Sequence, residues 1–218
     1  MSSTFRRATP RFRTPSLKLG EVQLTPIRLR DSAEWRAVRL RNASWLQPWE
    51  ATSPAGSLQA PTTFADMVRE LRREARAGRV VPWIIRVSGR LAGQLTVNSI
   101  SFGSLRSAQA GYWVASEFAG RGVAPTALAV ATDHCWTTLG LHRMEVNIRP
   151  ENQASRRVVD KLGFRREGTR ERYLHINGDW ADHQSFALTV EEVPGGLTAR
   201  WLDSRGAEGA ARSDESGN

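Results

Sequence analysis

Two glycines that flank an arginine form the segment of this 218-residue sequence best suited to bind a charged ligand. Gly120, Arg121 and Gly122 stand between a strand-like stretch and a helix-like stretch that begins by Val123. Backbone amides in the first turn of a helix have no carbonyl partner, and the helix dipole adds positive potential there. Glycine also lets the backbone approach an anion closely. The segment suits a diphosphate, although a plain strand–helix turn would use the same glycines.

The segment differs from the two common nucleotide-binding loops. No Gly-Lys-Ser or Gly-Lys-Thr follows it, so it is not the phosphate-binding loop of nucleoside triphosphatases. Pro125 stands three residues after Gly122, where the dinucleotide fingerprint requires glycine. A proline fits the first turn of a helix, because its missing N–H would have no helical partner there.

The elements that must position this loop alternate between strand-like and helix-like patterns. Strands are predicted at 21–29, 81–87, 91–102, 107–115, 144–148, 164–174 and 183–190, with helices at 63–78, 123–139 and 152–162. A further helix opens at Asp31, where Glu34 completes a capping box. This order predicts one α+β (mixed α/β) domain with a mostly antiparallel sheet of about seven strands and about four helices. The strands at 107–115 and 144–148 should be parallel.

The two ends of the chain differ from its middle in composition. Residues 1–20 carry basic side chains and no acidic ones, which predicts a flexible basic arm. Residues 193–218 are predicted to be a largely disordered extension, which leaves 21–192 as the folded domain. The formal net charge of +9 favours an anionic partner, such as a phosphate-bearing ligand or a nucleic acid.

The number of cysteines, the spacing of the histidines and the length of the apolar runs exclude disulfide-rich, metal-binding and membrane-spanning proteins. The single cysteine, Cys135, rules out a disulfide framework and a cysteine-rich metal site, and it fits a reducing, cytoplasmic compartment. Its place on an apolar helix face makes it a core residue. The four histidines show no metal-ligand spacing, so no metal site is expected. No apolar run approaches the roughly 20 residues of a membrane helix.

Three short motifs in order resemble the GCN5-related N-acetyltransferase superfamily. They are Gly120-Arg-Gly-Val-Ala124, Asn152-Gln-Ala-Ser155 and Leu162-Gly-Phe164. The longer runs 139–168 and 173–179 are similar to the ribosomal-protein-alanine N-acetyltransferase branch. The resemblance covers residues 21 to 192 and implies a sheet that is split around the parallel strand pair.

The resemblance also implies acetyl-CoA as the cosubstrate, bound across that split without a metal. The backbone of Trp113 and Val114 would pair with the pantetheine arm. The diphosphate would lie on Arg121, Gly122, Val123, Ala124, Pro125 and Thr126. Asn152 would bond the pantetheine amide, and Ser155 would lie near the sulfur. The family usually starts this loop with Gln or Arg, whereas this chain has Ala119.

The catalytic groups depart from the family pattern. Many relatives carry a tyrosine seven residues after the asparagine, at the position of Val159 here. Ser155 is therefore the first candidate to donate a hydrogen bond to the leaving thiolate, and Tyr173 is the second. Candidates for the base are Glu117, Glu145 and Glu171.

The acceptor is an amine whose class the motifs do not fix. An α-amine loses its proton more easily than lysine by about 3.4 kcal/mol at pH 7, so an enzyme without a strong base should favour α-amines. The first hypothesis is the N-terminal α-amine of a ribosomal protein. The alternatives are a small amine, such as an aminoglycoside or polyamine, or a non-catalytic protein that binds RNA or the ribosome through the basic arm. A monomer and a homodimer both remain open.

A stiff aromatic loop at Trp45, Pro48 and Trp49 follows the first predicted helix. In this superfamily such a loop borders the acceptor side. The two tryptophans are expected either to form a wall for the acceptor or to plug the hydrophobic core.

Overall fold

The structure is a computed structural model that describes residues 13–57 and 63–215, with side chains as far as residue 207. The described chain forms one eight-stranded sheet in the order β1-β2-β3-β4-β5-β6-β8-β7. The strands are β1 (Leu17–Leu19), β2 (Val22–Pro26), β3 (Val81–Val87), β4 (Arg90–Ser101), β5 (Ser107–Val114), β6 (Arg143–Ile148), β7 (Arg165–Ile176) and β8 (Asp179–Thr189). The helices are α1 (Ser32–Arg41), α2 (Ala43–Leu46), α3 (Phe64–Arg76), α4 (Val123–Thr137), α5 (Gln153–Leu162) and α6 (Leu197–Glu215). The predicted fold class is confirmed.

The parallel pair in the middle of the sheet is present, and it is short. β5 and β6 pair only from Ser107 to Gln109, opposite 143–145. Beyond Gln109, β5 continues to pair with β4 as far as Val114, whereas β6 continues along β8. The two strands therefore diverge, and the last residues of β5 present an open edge between them.

Helices cover both faces of the sheet. Successive residues on a strand point to opposite faces. At the end of β5, the Trp113 ring contacts Trp35 of α1 with ring centroids 6.3 Å apart, while Tyr112 lies beside Ser155 of α5. The α1 side and the α5 side are therefore separate, and the split between β5 and β6 connects them.

Both ends of the chain contain more structure than the sequence predicted. β1 lies within the expected basic arm and pairs with β2; residues 1–12 of that arm lie outside the described residues. The extension after residue 193 was expected to be disordered, but it contains α6, with Leu197 and Trp201 buried. Asp133 of α4 explains this order, because its carboxylate accepts hydrogen bonds from the amides of Leu197 and Thr198 at 2.7 and 2.9 Å.

The predicted capping box of α1 is wrong in its contacts. Asp31 does stand at the N-cap, but its carboxylate accepts from the Arg28 amide at 2.7 Å. Glu34 accepts from the Leu91 amide at 2.7 Å, and both carboxylates bind Arg86 at 2.9 Å. The guanidinium of β3 competes for the two acids, so they join α1 to the β3–β4 hairpin.

Candidate functional site

A cavity of about 840 Å³ opens where β5 and β6 diverge. This volume is typical of small-molecule sites. Its wall contains most of the residues that the sequence assigned to the cosubstrate: Trp113, Val114, Gly122, Val123, Ala124, Pro125, Asn152 and Ser155. The structure thus brings the strand end, the glycine loop and the α5 motif together around one space.

The glycine loop has the backbone conformation that an anion site needs. Gly120 and Gly122 have φ of +73° and +77°, in the left-handed region that favours glycine. The Thr126 amide bonds the Gly122 carbonyl at 3.1 Å, in the first turn of α4. The amides of Val123 and Ala124 precede that bond and have no helical carbonyl a turn before them. The loop therefore fits a diphosphate.

Two residues predicted for the diphosphate, Arg121 and Thr126, lie outside this cavity wall. The Arg121 guanidinium carbon lies 5.6 Å from the centroid of the Phe118 ring. Thr126 is buried, where its hydroxyl donates to the Gly122 carbonyl and accepts from the Trp201 indole, both at 2.8 Å. Thr126 thus supports the loop from behind.

The end of β5 is held in place by its neighbours. The Trp45 indole donates to the Val114 carbonyl at 3.0 Å. At the facing position on β4, a Cβ on Gly93 would stand 2.1 Å from the Trp113 carbonyl oxygen, so only glycine allows this approach. These contacts fix the strand end beside the open edge.

Two hydroxyl groups meet where the family resemblance places the sulfur. Asn152 caps α5 by accepting from the Ser155 amide at 3.0 Å, and both residues line the cavity. The Tyr112 hydroxyl lies beside Ser155, and burial raises the pKa of Tyr112 while Ser155 lowers it to a smaller extent. No described group completes a well-formed hydrogen bond to this buried hydroxyl.

Sequence reasoning missed Tyr112, although the alternation of β5 next to Trp113 would have placed it on the α5 side. Val159, at the position where many relatives have tyrosine, is buried in the core. The structure therefore brings a tyrosine to this region from the strand instead of the helix.

The structure does not bring Tyr173 into the cavity wall. Its hydroxyl donates to Gln109 at 3.3 Å, and its ring packs edge-on against His183 with centroids 5.7 Å apart. Burial lowers the pKa of His183, so this side chain favours its neutral form. Tyr173 belongs to a polar network on the α1 face of the sheet.

The three predicted base candidates also lie outside the cavity wall. Glu117 accepts from the Asn42 side chain at 3.3 Å. Glu145 is bound by Arg143 at 2.8 Å and by Arg170 at 3.1 Å. Glu171 is exposed on β7, at the edge of the sheet.

Two other carboxylates line the cavity, and sequence reasoning did not single them out. Glu50 forms an ion pair with Arg39, which also lines the cavity. Glu151 pairs with Arg149 at 3.3 Å. Their positions depend on how the chain turns after α2 and β6, and no local motif encodes that geometry.

The aromatic loop forms a wall at the same end of the cavity. Trp45 and Trp49 both line it and are 40% and 36% exposed, which favours a wall over a core plug. Arg149 donates to the Pro48 carbonyl at 3.0 Å. Its guanidinium carbon stands over the Trp49 ring, 5.8 Å from the ring centroid. The tip of the β7–β8 hairpin closes this side through the amide of Asn177, which donates to the Glu50 carbonyl.

Within residues 13–57 and 63–215, no group of three or more His, Cys, Asp or Glu side chains could hold a metal ion. None of the helices over the same ranges is long and apolar enough to cross a membrane. Cys135 is a buried core residue, as predicted, and burial raises the pKa of its thiol to about 12.

Comparison with known proteins gives consistent matches. A family model described as an acetyltransferase (GNAT) domain matches residues 21–165. The solved structure of Mycobacterium smegmatis RimJ in complex with CoA-disulfide is 43% identical, with a TM-score of 0.78 over 84% of this chain and 88% of that one. These matches show that the chain has the fold of that family.

Two curated relatives extend the comparison. The [ribosomal protein uS5]-alanine N-acetyltransferase of Escherichia coli is 27% identical over 85% of this chain and 97% of its own length. The probable N-acetyltransferase YjcK of Bacillus subtilis is 36% identical over 99 residues, which are 45% of this chain and 55% of that protein.

Proposed function

Since this chain belongs to the GNAT acetyltransferase family, we propose that it transfers the acetyl group of acetyl-CoA to the N-terminal α-amine of a ribosomal protein. The single observation that carries the proposal is the continuity of the cavity. It runs from Gly122 and the first turn of α4, past Ser155, to Trp49 and Glu50. One space therefore joins an anion-binding loop to an aromatic and acidic wall.

The loop end suits the cosubstrate, which supplies an acetyl group already activated as a thioester. The amides at Val123 and Ala124 would hold its diphosphate. The open edge of β5 between Ala110 and Val114 would pair with the amides of the pantetheine arm, and the Asn152 side chain would bind one of them. The acetyl group would then reach the region of Ser155 and Tyr112.

The transfer forms a bond between the amine nitrogen and the acetyl carbon and breaks the bond between that carbon and sulfur. Negative charge develops on the sulfur as it leaves. Ser155 would donate a hydrogen bond to this charge, and Tyr112 would orient the serine hydroxyl from its buried position beside it. Hydrogen bonds to developing charge are worth more in a site that excludes water.

The amine must lose one proton, and the cavity provides only modest basicity. Glu50 is already paired with Arg39, so it would take the proton as a weak base, directly or through water. An α-amine has a pKa near 7.7–8.0, against about 10.4 for lysine. The weak base therefore supports an α-amine over a lysine side chain.

The acceptor wall and the relatives support a protein end. The wall of Trp45, Trp49 and Glu50 is partly exposed, so a chain could leave the cavity on that side. The Escherichia coli relative carries the name of an enzyme that acts on ribosomal protein uS5, and that name supports the same class of acceptor here.

A panel of amines followed by release of free thiol tests this proposal. The panel holds a peptide with a free N-terminal alanine, the same peptide with a blocked N-terminus and an internal lysine, spermidine and an aminoglycoside. We expect thiol release with the free peptide alone. Faster release with spermidine or the aminoglycoside would assign a small-amine acceptor. No release with any amine would contradict acetyl transfer and favour a binding protein.

A further inference from the structure

A cluster of one aromatic and two basic side chains stands beside the glycine loop. We call Trp201, Arg205 and Lys161 the α6 cluster. The Lys161 ammonium lies 5.9 Å from the centroid of the Trp201 ring, and the Arg205 guanidinium carbon lies 5.8 Å from it. Lys161 and Trp201 line the cavity, whereas Arg205 lies outside its wall, against the Trp201 ring. Two cations are thus gathered around one indole.

The cluster is fixed next to the glycine loop. Trp201 is buried, and its indole N–H donates to Thr126 at 2.8 Å. A Cβ on Gly122 would stand 3.3 Å from the Trp201 ring and 4.0 Å from the Arg205 guanidinium. Asp133 anchors the start of α6. The Arg205 guanidinium therefore lies next to the glycine loop.

The positive groups here exceed what a diphosphate needs. The loop amides and the helix dipole already serve one anionic group. Arg205 belongs to a helix beyond the loop, and a guanidinium group can bind a phosphate through several N–H donors at once. The arrangement indicates a second anion close to the first.

We propose that the α6 cluster is a subsite for the 3′-phosphate of coenzyme A, with Arg205 as its main donor. Coenzyme A carries this phosphomonoester on the ribose, apart from the diphosphate, so it provides two anionic groups at one end. The proposal rests on acetyl-CoA as the cosubstrate and is independent of the acceptor. The C-terminal helix would therefore belong to the binding site.

Calorimetric titration of the full chain with coenzyme A and with 3′-dephospho-coenzyme A tests the subsite. We expect Arg205→Ala to raise the Kd of coenzyme A about tenfold, as loss of a charge-assisted hydrogen bond would. The Kd of the dephospho ligand should stay within about twofold of wild type, because the partner of Arg205 is missing there. Arg205→Lys should recover part of the affinity.

Arg72→Ala is the matched control, because it removes one exposed arginine from α3 and the same charge from the chain. It should leave both Kd values unchanged. An equal loss for both ligands in Arg205→Ala, or no loss for either, would overturn the subsite. If neither ligand bound the wild-type chain, the cosubstrate assignment would fall as well, whereas a failure of acceptor acetylation alone would leave these Kd values intact.

Discussion

The two ends of the cavity differ in which part of the chain forms their surface: the backbone at one end and side chains at the other. The proposed donor end is formed by backbone conformations: Gly120 and Gly122 are left-handed, and Thr126 and Trp201 support them from the buried side. At the acceptor end, the surface consists of partly exposed side chains, such as Trp49 and Glu50, held by π contacts and ion pairs.

This difference separates what the fold fixes from what can vary. A backbone-built site is part of the packing of β5, α4 and α6, so changing it disturbs the framework. A wall of exposed side chains can change one residue at a time, because surface substitutions usually alter stability by less than about 0.5 kcal/mol. Under the proposed function, the architecture would therefore fix the donor, and a few side chains would select the acceptor.

The largest effect should come from a framework glycine at the donor end. Gly93→Ala would place a Cβ 2.1 Å from the Trp113 carbonyl oxygen. We expect the free energy of unfolding to fall by about 3 kcal/mol, the upper range for overpacking, since a backbone atom must move. Urea denaturation measures this loss. Gly111→Ala on β5 is the control, because a Cβ there meets nothing within 4 Å; equal destabilisation by both substitutions would contradict the close approach.

The next largest effect should appear in kcat and not in the affinity for coenzyme A, and it concerns Ser155 and Tyr112. Ser155→Ala should lower kcat about 100-fold, the usual cost of losing one hydrogen bond to developing charge. The Kd of coenzyme A, measured by calorimetry, should hardly change. Tyr112→Phe should lower kcat about tenfold, because the hydrogen bond that we expect Tyr112 to form with Ser155 once the cosubstrate is bound would be lost.

The two substitutions also test whether the hydroxyls act together. In the Ser155→Ala background, Tyr112→Phe should have no further effect on kcat, because Tyr112 acts through the serine. Additive losses in the double variant would show that Tyr112 acts separately from Ser155.

Local patterns account for most of the fold. The dipeptide Asn177-Gly178 is typical of a tight hairpin turn, and both residues have positive φ. The helix predicted at 63–78 is capped by its first residue, Thr63, whose hydroxyl accepts from the Asp66 amide at 3.1 Å. α6 was missed because its order comes from Asp133, a partner 64 residues away in sequence. A tertiary contact of this kind does not appear as a hydrophobic period in the sequence of the segment that it stabilises.

The same distinction explains the outcome for the site. The glycine loop and the Asn152–Ser155 turn are local, so their positions in the cavity followed from short motifs. The base candidates Glu117 and Glu145 were chosen by residue type, and the structure gives them Asn42 and Arg143 as partners outside the cavity. Glu50 is held at the wall by Arg39 of α1 and by Asn177 at the hairpin tip, which is distant in the chain.

The last effect should come from the acceptor wall, and it should depend on pH. Glu50→Gln should lower kcat/KM for a free peptide α-amine about tenfold at pH 7, below the usual range for general bases, because Glu50 is already paired. At pH 9 the difference should shrink to less than about twofold, because an amine with a pKa near 8 has then lost its proton to solvent. Glu151→Gln is the control, because Glu151 lines the same cavity. Its kcat/KM relative to wild type should be the same at pH 7 and at pH 9. A Glu50→Gln defect of equal size at both pH values would contradict the role of Glu50 as the base. It would mean that this carboxylate positions the acceptor without taking its proton.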